Sequence, residues 1–280
     1  FDDIVVGAPG LTAGPSGTAS GRVRVVAIDA STGDFTPASN HAQQEILSPL
    51  PTGSGFGSSV LAADWSAPYM VPGPPPNART RLGQEVLVGA PTAASDGRVA
   101  LYHTFISGAD IPVSDQRASW SWQASTVLMR PTSTPGTARF GTAMAAPTDT
   151  VGTQTPWIAI SGPGVGEVYI YEGQPASGPF PGADQLVHVQ TLSLAGLPDG
   201  LSASDVDLGA ALVADDFDQD GFIDLAIGTP ATSGQQDSRV FVVGGDESAT
   251  NPLDPTDVLV LIDDLSGSMT GLGKALAAGE

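Results

Sequence analysis

The chain has 280 residues, a formal net charge of −20, no cysteine and one lysine, Lys274. That length can bury a large core, as one all-β domain or two ordinary ones, and the absence of cysteine excludes a disulfide framework and any thiolate metal or redox site. The acidic balance, with few scattered arginines, argues against a nucleic-acid partner, and no run of about 18 or more apolar residues offers a membrane span.

The first three residues, Phe1-Asp2-Asp3, lack the basic n-region of a signal peptide, so the sequence reads as mature or trimmed at its start. VVGAP at 5–9 comes next, and GRVRVVAI follows from Gly21. Phe56-Gly57 then opens a unit with four apolar runs, at 57–64, 84–91 (ending LVGAP), 98–105 and 120–129. Phe140-Gly141 opens another, with runs at 141–146, 157–162 (AISG, then Pro163), 167–173 and 186–194. Leu208-Gly209 opens a third, carrying AIGTP at 226–230, SRVFVVGG from Ser238 and an apolar run at 258–262. Leu272-Gly273 begins the pattern again. The only helix-like stretch, 273–278, has strand-like counterparts in the other copies.

The runs are short, rich in Val, Ile and aromatics, and punctuated by Gly, Pro, Asp and Ser, which is strand chemistry. The VVG-type run is apolar on both faces and predicts a central strand; the VxVY-type run alternates and predicts a strand with one buried face. Self-similarity at a period of this kind marks a repeat architecture. Four strands per unit, radially repeated, form a β-propeller blade, and the expected fold is an all-β propeller. The blades are 272–280 together with 1–50, then 55–130, 139–195 and 207–264. The chain begins at strand two of a blade and ends with strand one at 272–280, so a head-to-tail join completes the fourth blade. That join leaves positions 217–221 of the neighbouring copy without a counterpart. The ring is therefore either a closed four-bladed one or part of a longer, for example seven-bladed, propeller.

One loop carries chemistry. Asp216-Phe-Asp218-Gln-Asp220-Gly-Phe222-Ile-Asp224 reads D-x-D-x-D-G-x-x-D. Calcium takes about six to eight oxygens in flexible geometry, and alternating carboxylates can wrap one side of it, with the Phe222 carbonyl and Asp224 closing the set. Four carboxylates this close repel one another unless a cation lies among them. The alternative is a solvated acidic turn. Position twelve is Ile227 rather than a bidentate Glu, and the flanks are strands, so this is not an EF-hand. Asp64 and Asp149 stand alone in the corresponding loops, and Asp3 and Glu280 hold only the outer positions of the closing one.

The Phe-Gly opening, the Gly-Ala-Pro strand end and the Asp-rich loop between them resemble the FG-GAP repeat of the integrin α-subunit N-terminal propeller and its bacterial relatives. The resemblance spans nearly the whole chain. It implies a calcium loop at Asp216, Asp218, Asp220, Phe222 (through its carbonyl) and Asp224, an extracellular or cell-surface location, and adhesion or protein recognition. The chain offers four blades where the integrin propeller has seven. A second pattern, Asp264-Leu-Ser266-Gly-Ser268, resembles the metal-ion-dependent adhesion motif of von Willebrand A domains. Such a domain needs on the order of a hundred further residues. A linker before Leu272-Gly273, like residues 47–55 before Phe56, is the simpler reading.

Catalytic constellations are missing. There is no G-x-S-x-G elbow, and His41, His103 and His188 are isolated. Trp120 and Trp122 alternate on one face of a strand, which suits packing between blades, with a glycan-stacking patch as the alternative. The expected function is non-enzymatic: a calcium-binding module for a protein partner. The alternatives are a carbohydrate-binding propeller and the non-catalytic part of a larger secreted enzyme.

Overall fold

The computed structural model describes residues 4–10, 21–26, 43–63, 69–71, 79–107, 120–132, 136–147, 157–174, 185–193, 196–197, 206–231, 238–246, 251–262 and 272–278. Asp3, His41, Asp64, Asp149, Asp264, Ser266, Ser268 and Glu280 lie outside them, as do the side chains of Trp120 and Trp122. The described residues are all-β, in four antiparallel sheets. No helix among them is long and apolar enough to cross a membrane.

The chain divides into two compact units, Phe1–Ala93 with Val99–Leu128 and Pro175–Gln185, and Ala94–Arg98 with Met129–Gln174 and Leu186–Glu280. In the first unit, β1 (Ile4–Ala8), β2 (Arg22–Val26) and β3 (Gln43–Leu47) form one sheet in that order. The other sheet comprises β4 (Ser59–Ala63), β5 (Tyr69–Val71), β6 (Arg79–Ala90), β7 (Arg98–Ser107) and β8 (Trp120–Leu128), ordered β4-β6-β7-β8 with β5 also on β6. In the second unit, β9 (Met144–Ala145), β10 (Trp157–Gly162), β11 (Glu167–Gln174) and β12 (Gln185–Ser193) form a sheet in chain order. So do β13 (Ala211–Asp215), β14 (Asp224–Thr229), β15 (Arg239–Gly245) and β16 (Leu253–Ile262).

The predicted strand order recurs in each of these sheets. Strands β10 and β14 are buried at every residue, as runs apolar on both faces require of central strands. Strand β2 alternates between buried and more open positions, as a strand with one covered face does. Pro255 is accommodated on β16 because that strand is at the edge of its sheet. Two expectations are corrected. Residues 272–278 form a turn and irregular backbone rather than a strand, and the first sheet has three strands among the described residues. Tyr69–Val71 pairs antiparallel with Arg79–Arg81, Tyr69 opposite Arg81 and Val71 opposite Arg79, which lengthens β6 to 12 residues.

Each unit buries an apolar layer between its two sheets. In the first, Val23, Val25 and Ile46 of one sheet meet Phe56, Val86, Val88 and Ala100 of the other. In the second, Ala159, Val168 and Ile170 meet Leu212, Leu225, Ile227 and Phe241. Burial of this kind stabilises by roughly 25 cal/mol per Å² of apolar surface. Gln190 adds a polar tie across the second layer: its Nε2 donates to the Leu253 carbonyl at 2.7 Å, and its Oε1 accepts the Leu253 N–H at 3.3 Å.

The Phe-Gly signature has a physical cause. Phe56 and Phe140 are fully buried, and each packs edge-on against a tyrosine, Tyr102 at 6.2 Å and Tyr169 at 5.6 Å. The glycine that follows donates its N–H to the central strand of its own sheet: Gly57 to Gly89, Gly141 to Ser161 and Gly209 to Gly228, each at 2.9 Å. Gly57 also lies against β1 of the preceding sheet, where a Cβ on Gly7 would be 2.1 Å from the Gly57 carbonyl oxygen. With φ at +89°, Gly57 also occupies backbone space that favours glycine. Within the first unit, the Phe-Gly and Gly-x-Pro signatures are thus the two sides of one backbone-to-backbone junction between its sheets.

Candidate metal centre

The loop from β13 to β14 contains the predicted residues, and the ladder beneath it fixes its ends, since Asp215 pairs with Asp224 in register. Between them the chain turns sharply, with Gln219 at φ +63° and Gly221 at φ +94°. Carboxylates turned inward satisfy the backbone of this turn. Asp216 accepts the N–H groups of Asp220 at 3.1 Å and Gly221 at 3.0 Å through its two oxygens. Asp218 Oδ1 also accepts the Asp220 N–H, at 3.1 Å. Asp220 Oδ1 accepts the Phe222 N–H at 2.8 Å. These are the local side-chain-to-backbone bonds that favour Asp in turns.

Asp224 differs from the others. It is buried, at 3% exposure, and is held from two directions: Oδ2 accepts the Phe217 N–H at 2.9 Å and Oδ1 accepts the Gly245 N–H at 2.8 Å. Burial pushes its carboxyl above the usual carboxylate range; the two N–H bonds oppose that shift, and the neighbouring charges of Asp218 and Asp220 add to it. The structure brings together one oxygen each from Asp216, Asp218 and Asp224, all within 4.8 Å of one another. Asp220 is outside that group, its Oδ1 turned to the loop backbone. Three of the four predicted carboxylates therefore converge.

Gly245 was not legible as part of the site, because it is 21 residues from Asp224. The available signal was the Gly-Gly pair at 244–245, where the register of β15 on β16 shifts. A side chain at Gly245 would reach within 2.6 Å of Phe222 Cβ, so glycine there lets the loop close onto β15. Asp215 also contributes, accepting the Asp216 N–H at 3.0 Å.

The donor set fits a hard divalent cation. It is entirely oxygen, three carboxylates converge, and the charges of Asp218 and Asp220 disfavour ionisation of the buried Asp224. Asp216, Asp218 and Asp224 would hold the ion, with Asp220 and the Phe222 carbonyl as the remaining donors nearby in sequence.

The predicted histidines have structural settings. His103 is 2% exposed, with Nδ1 3.4 Å from Oε1 of the buried Glu85 on the adjacent strand. His188 packs edge-on against Tyr169 and Tyr171, and its Nε2 is 2.8 Å from Thr191 Oγ1. Compared with known proteins, the chain matches no family model and no curated protein.

Proposed function

We propose that this chain is a non-enzymatic β-propeller of the FG-GAP kind, stabilised by calcium in the 216–224 loop and used outside the cell to recognise a protein partner. The observation that carries the proposal is the convergence of Asp216, Asp218 and Asp224 within 4.8 Å, in a loop between the first two strands of the sheet that opens with Leu208-Gly209. Four antiparallel sheets in repeating order are compatible with blades of a propeller. When bound, the cation would offset the repulsion of the clustered carboxylates and tie the loop to β14. The loops at the sheet ends would then be a rigid platform for recognition, where binding residues concentrate.

Ligand linkage supplies the test. An ion that binds only the folded chain raises its stability once free ion exceeds the dissociation constant. EDTA is expected to lower the melting temperature and added Ca²⁺ to restore it. An identical melt in saturating chelator and in excess Ca²⁺ rejects the metal assignment. Recognition is tested separately, by whether the calcium-loaded chain retains a protein from extracellular fractions in a pull-down that EDTA reverses.

A further inference from the structure

Each sheet ends on an outer strand, β3, β8, β12 or β16, with no described strand on its far side. Three of these edges are blunted as natural edges are, by polar or charged residues at short intervals. Strand β3 reads QQEIL and holds Glu45 against Arg22 and Arg24, while β8 reads WSWQASTVL and β12 reads QLVHVQTLS. None of the three carries more than two apolar residues in succession. Strand β16 carries five, Val258-Leu-Val-Leu-Ile262.

That run has the sequence of a central strand and the position of an edge. Val258 and Val260 pack against the core of the second unit, but Leu259 between them is 60% exposed. The devices that turn an edge away are missing from the run. Its register on β15 is unbroken, from Val258 opposite Val243 to Ile262 opposite Arg239, so no bulge twists it, and Pro255 lies before it. A regular edge of this kind presents a row of backbone N–H and C=O groups on its outer side.

The flanks of the run select the occupant. Asp254 and Asp257 precede it, and Asp263 and Asp264 follow it in the sequence. A second copy pairing antiparallel about Val260, the centre of the run, would set Asp257 against Asp263. Like charges placed opposite each other destabilise a strand pair, and the net charge of −20 adds to that repulsion. An apolar strand with basic residues at both ends meets opposite charge instead. We infer that the outer edge of β16 is a docking edge for an extended, basic-flanked segment of a protein partner, which adds to the sheet as a further strand. Backbone hydrogen bonds along 258–262 supply affinity, and the aspartates at either end select the charge of the segment. The inference rests on the recognition role proposed above and gives that role a surface; it does not depend on calcium.

The test uses the 280-residue chain and three labelled peptides: RRVTVTVRR, its acidic counterpart EEVTVTVEE, and RRVTPTVRR, whose central proline removes a ladder N–H. The first is expected to bind, by fluorescence anisotropy, and to slow hydrogen exchange of alternate amides within 258–262. The other two should bind about tenfold or more weakly. Equal binding by the proline peptide overturns the inference, because attraction to the acidic surface alone then suffices. Absence of binding by the first peptide overturns it as well, as does binding that leaves exchange within 258–262 unchanged. Alternate amides already protected in the dilute chain alone place another part of the chain on this edge. Protection that grows with chain concentration places a second copy there, and either result overturns the inference. Failure of the peptides leaves the EDTA-reversible pull-down unaffected, so loss of the docking edge and loss of the recognition role are read separately.

Discussion

Asp218 and Asp220 are two residues apart in one loop but have different duties. Asp218 contributes to the converging carboxylates, while Asp220 lies outside them and binds the Phe222 N–H. Asp218→Ala is expected to abolish the calcium-dependent rise in melting temperature while changing the melt in EDTA little, because it also removes a charge that disfavours ionised Asp224. Asp220→Ala should abolish the response as well, but with a cost in EDTA of about 1 kcal/mol for the lost turn bond. Asp220→Asn, which keeps an acceptor for Phe222, should recover that cost. If Asp218→Ala retains a full calcium response, the loop is not the site. A different residue sets a pH dependence. Burial between two tyrosines holds His188 below the usual imidazole range, against a smaller upward push from a backbone bond involving Gln190. Its folded pKa lies below its unfolded one, so the native state binds fewer protons, and this contribution to stability is present above about pH 6.5 and lost as pH falls below it. Urea melts at pH 7 and pH 5.5 should show a smaller acid loss in His188→Phe, which keeps the ring packing and cannot charge. An equal loss in both proteins assigns the acid sensitivity elsewhere.

At the scale of elements, the junction between successive sheets is the feature most exposed to a single change. Gly57 combines φ of +89° with a would-be Cβ 2.8 Å from the Arg22 carbonyl oxygen. Gly57→Ala should therefore cost more than the roughly 1–3 kcal/mol of backbone strain alone, since the backbone opposite must also move. Gly53→Ala, also at positive φ but with open space around it, should cost only the strain. Equal costs in equilibrium denaturation would remove the junction from the account. The central strands were legible because residues such as those of β10 and β14 are apolar on both faces, a pattern few other elements produce. The 272–278 segment differs from a strand because its likeness to the other copies is a likeness of the glycine turn, Gly273 at φ +76° matching Gly57 at +89° and Gly209 at +78°. A strand also needs a hydrogen-bonded partner, and its counterpart β9 is itself only 2 residues long. The β5–β6 hairpin was hidden by the prolines between its arms. The Glu85–His103 and Gly245–Asp224 contacts were hidden because they join residues 18 and 21 positions apart across neighbouring strands, where sequence spacing carries no signal.

For the whole molecule, the net charge of −20 creates a competing explanation of any calcium effect. Self-repulsion of an acidic chain destabilises its compact state, and any added cation screens it, with a Debye length of about 8 Å at physiological ionic strength. Site binding and screening differ in their dependence on concentration. A site saturates, and its contribution follows RT ln(1 + [Ca²⁺]/Kd), about 2.7 kcal/mol at a hundredfold excess over Kd. Screening depends on total ionic strength and is indifferent to which carboxylate is removed. Calcium titrations at a fixed ionic strength near 0.15 M, maintained with NaCl, should therefore still raise the melting temperature, and the same titration of Asp218→Ala should be flat. Hydrogen exchange under the same conditions should slow first in β13 and β14, whose ends anchor the loop, ahead of β1 to β3 in the other unit, because local opening is most restrained where the ion binds. A rise that vanishes at fixed ionic strength, or that Asp218→Ala shares in full, would show calcium acting on the acidic surface as a whole.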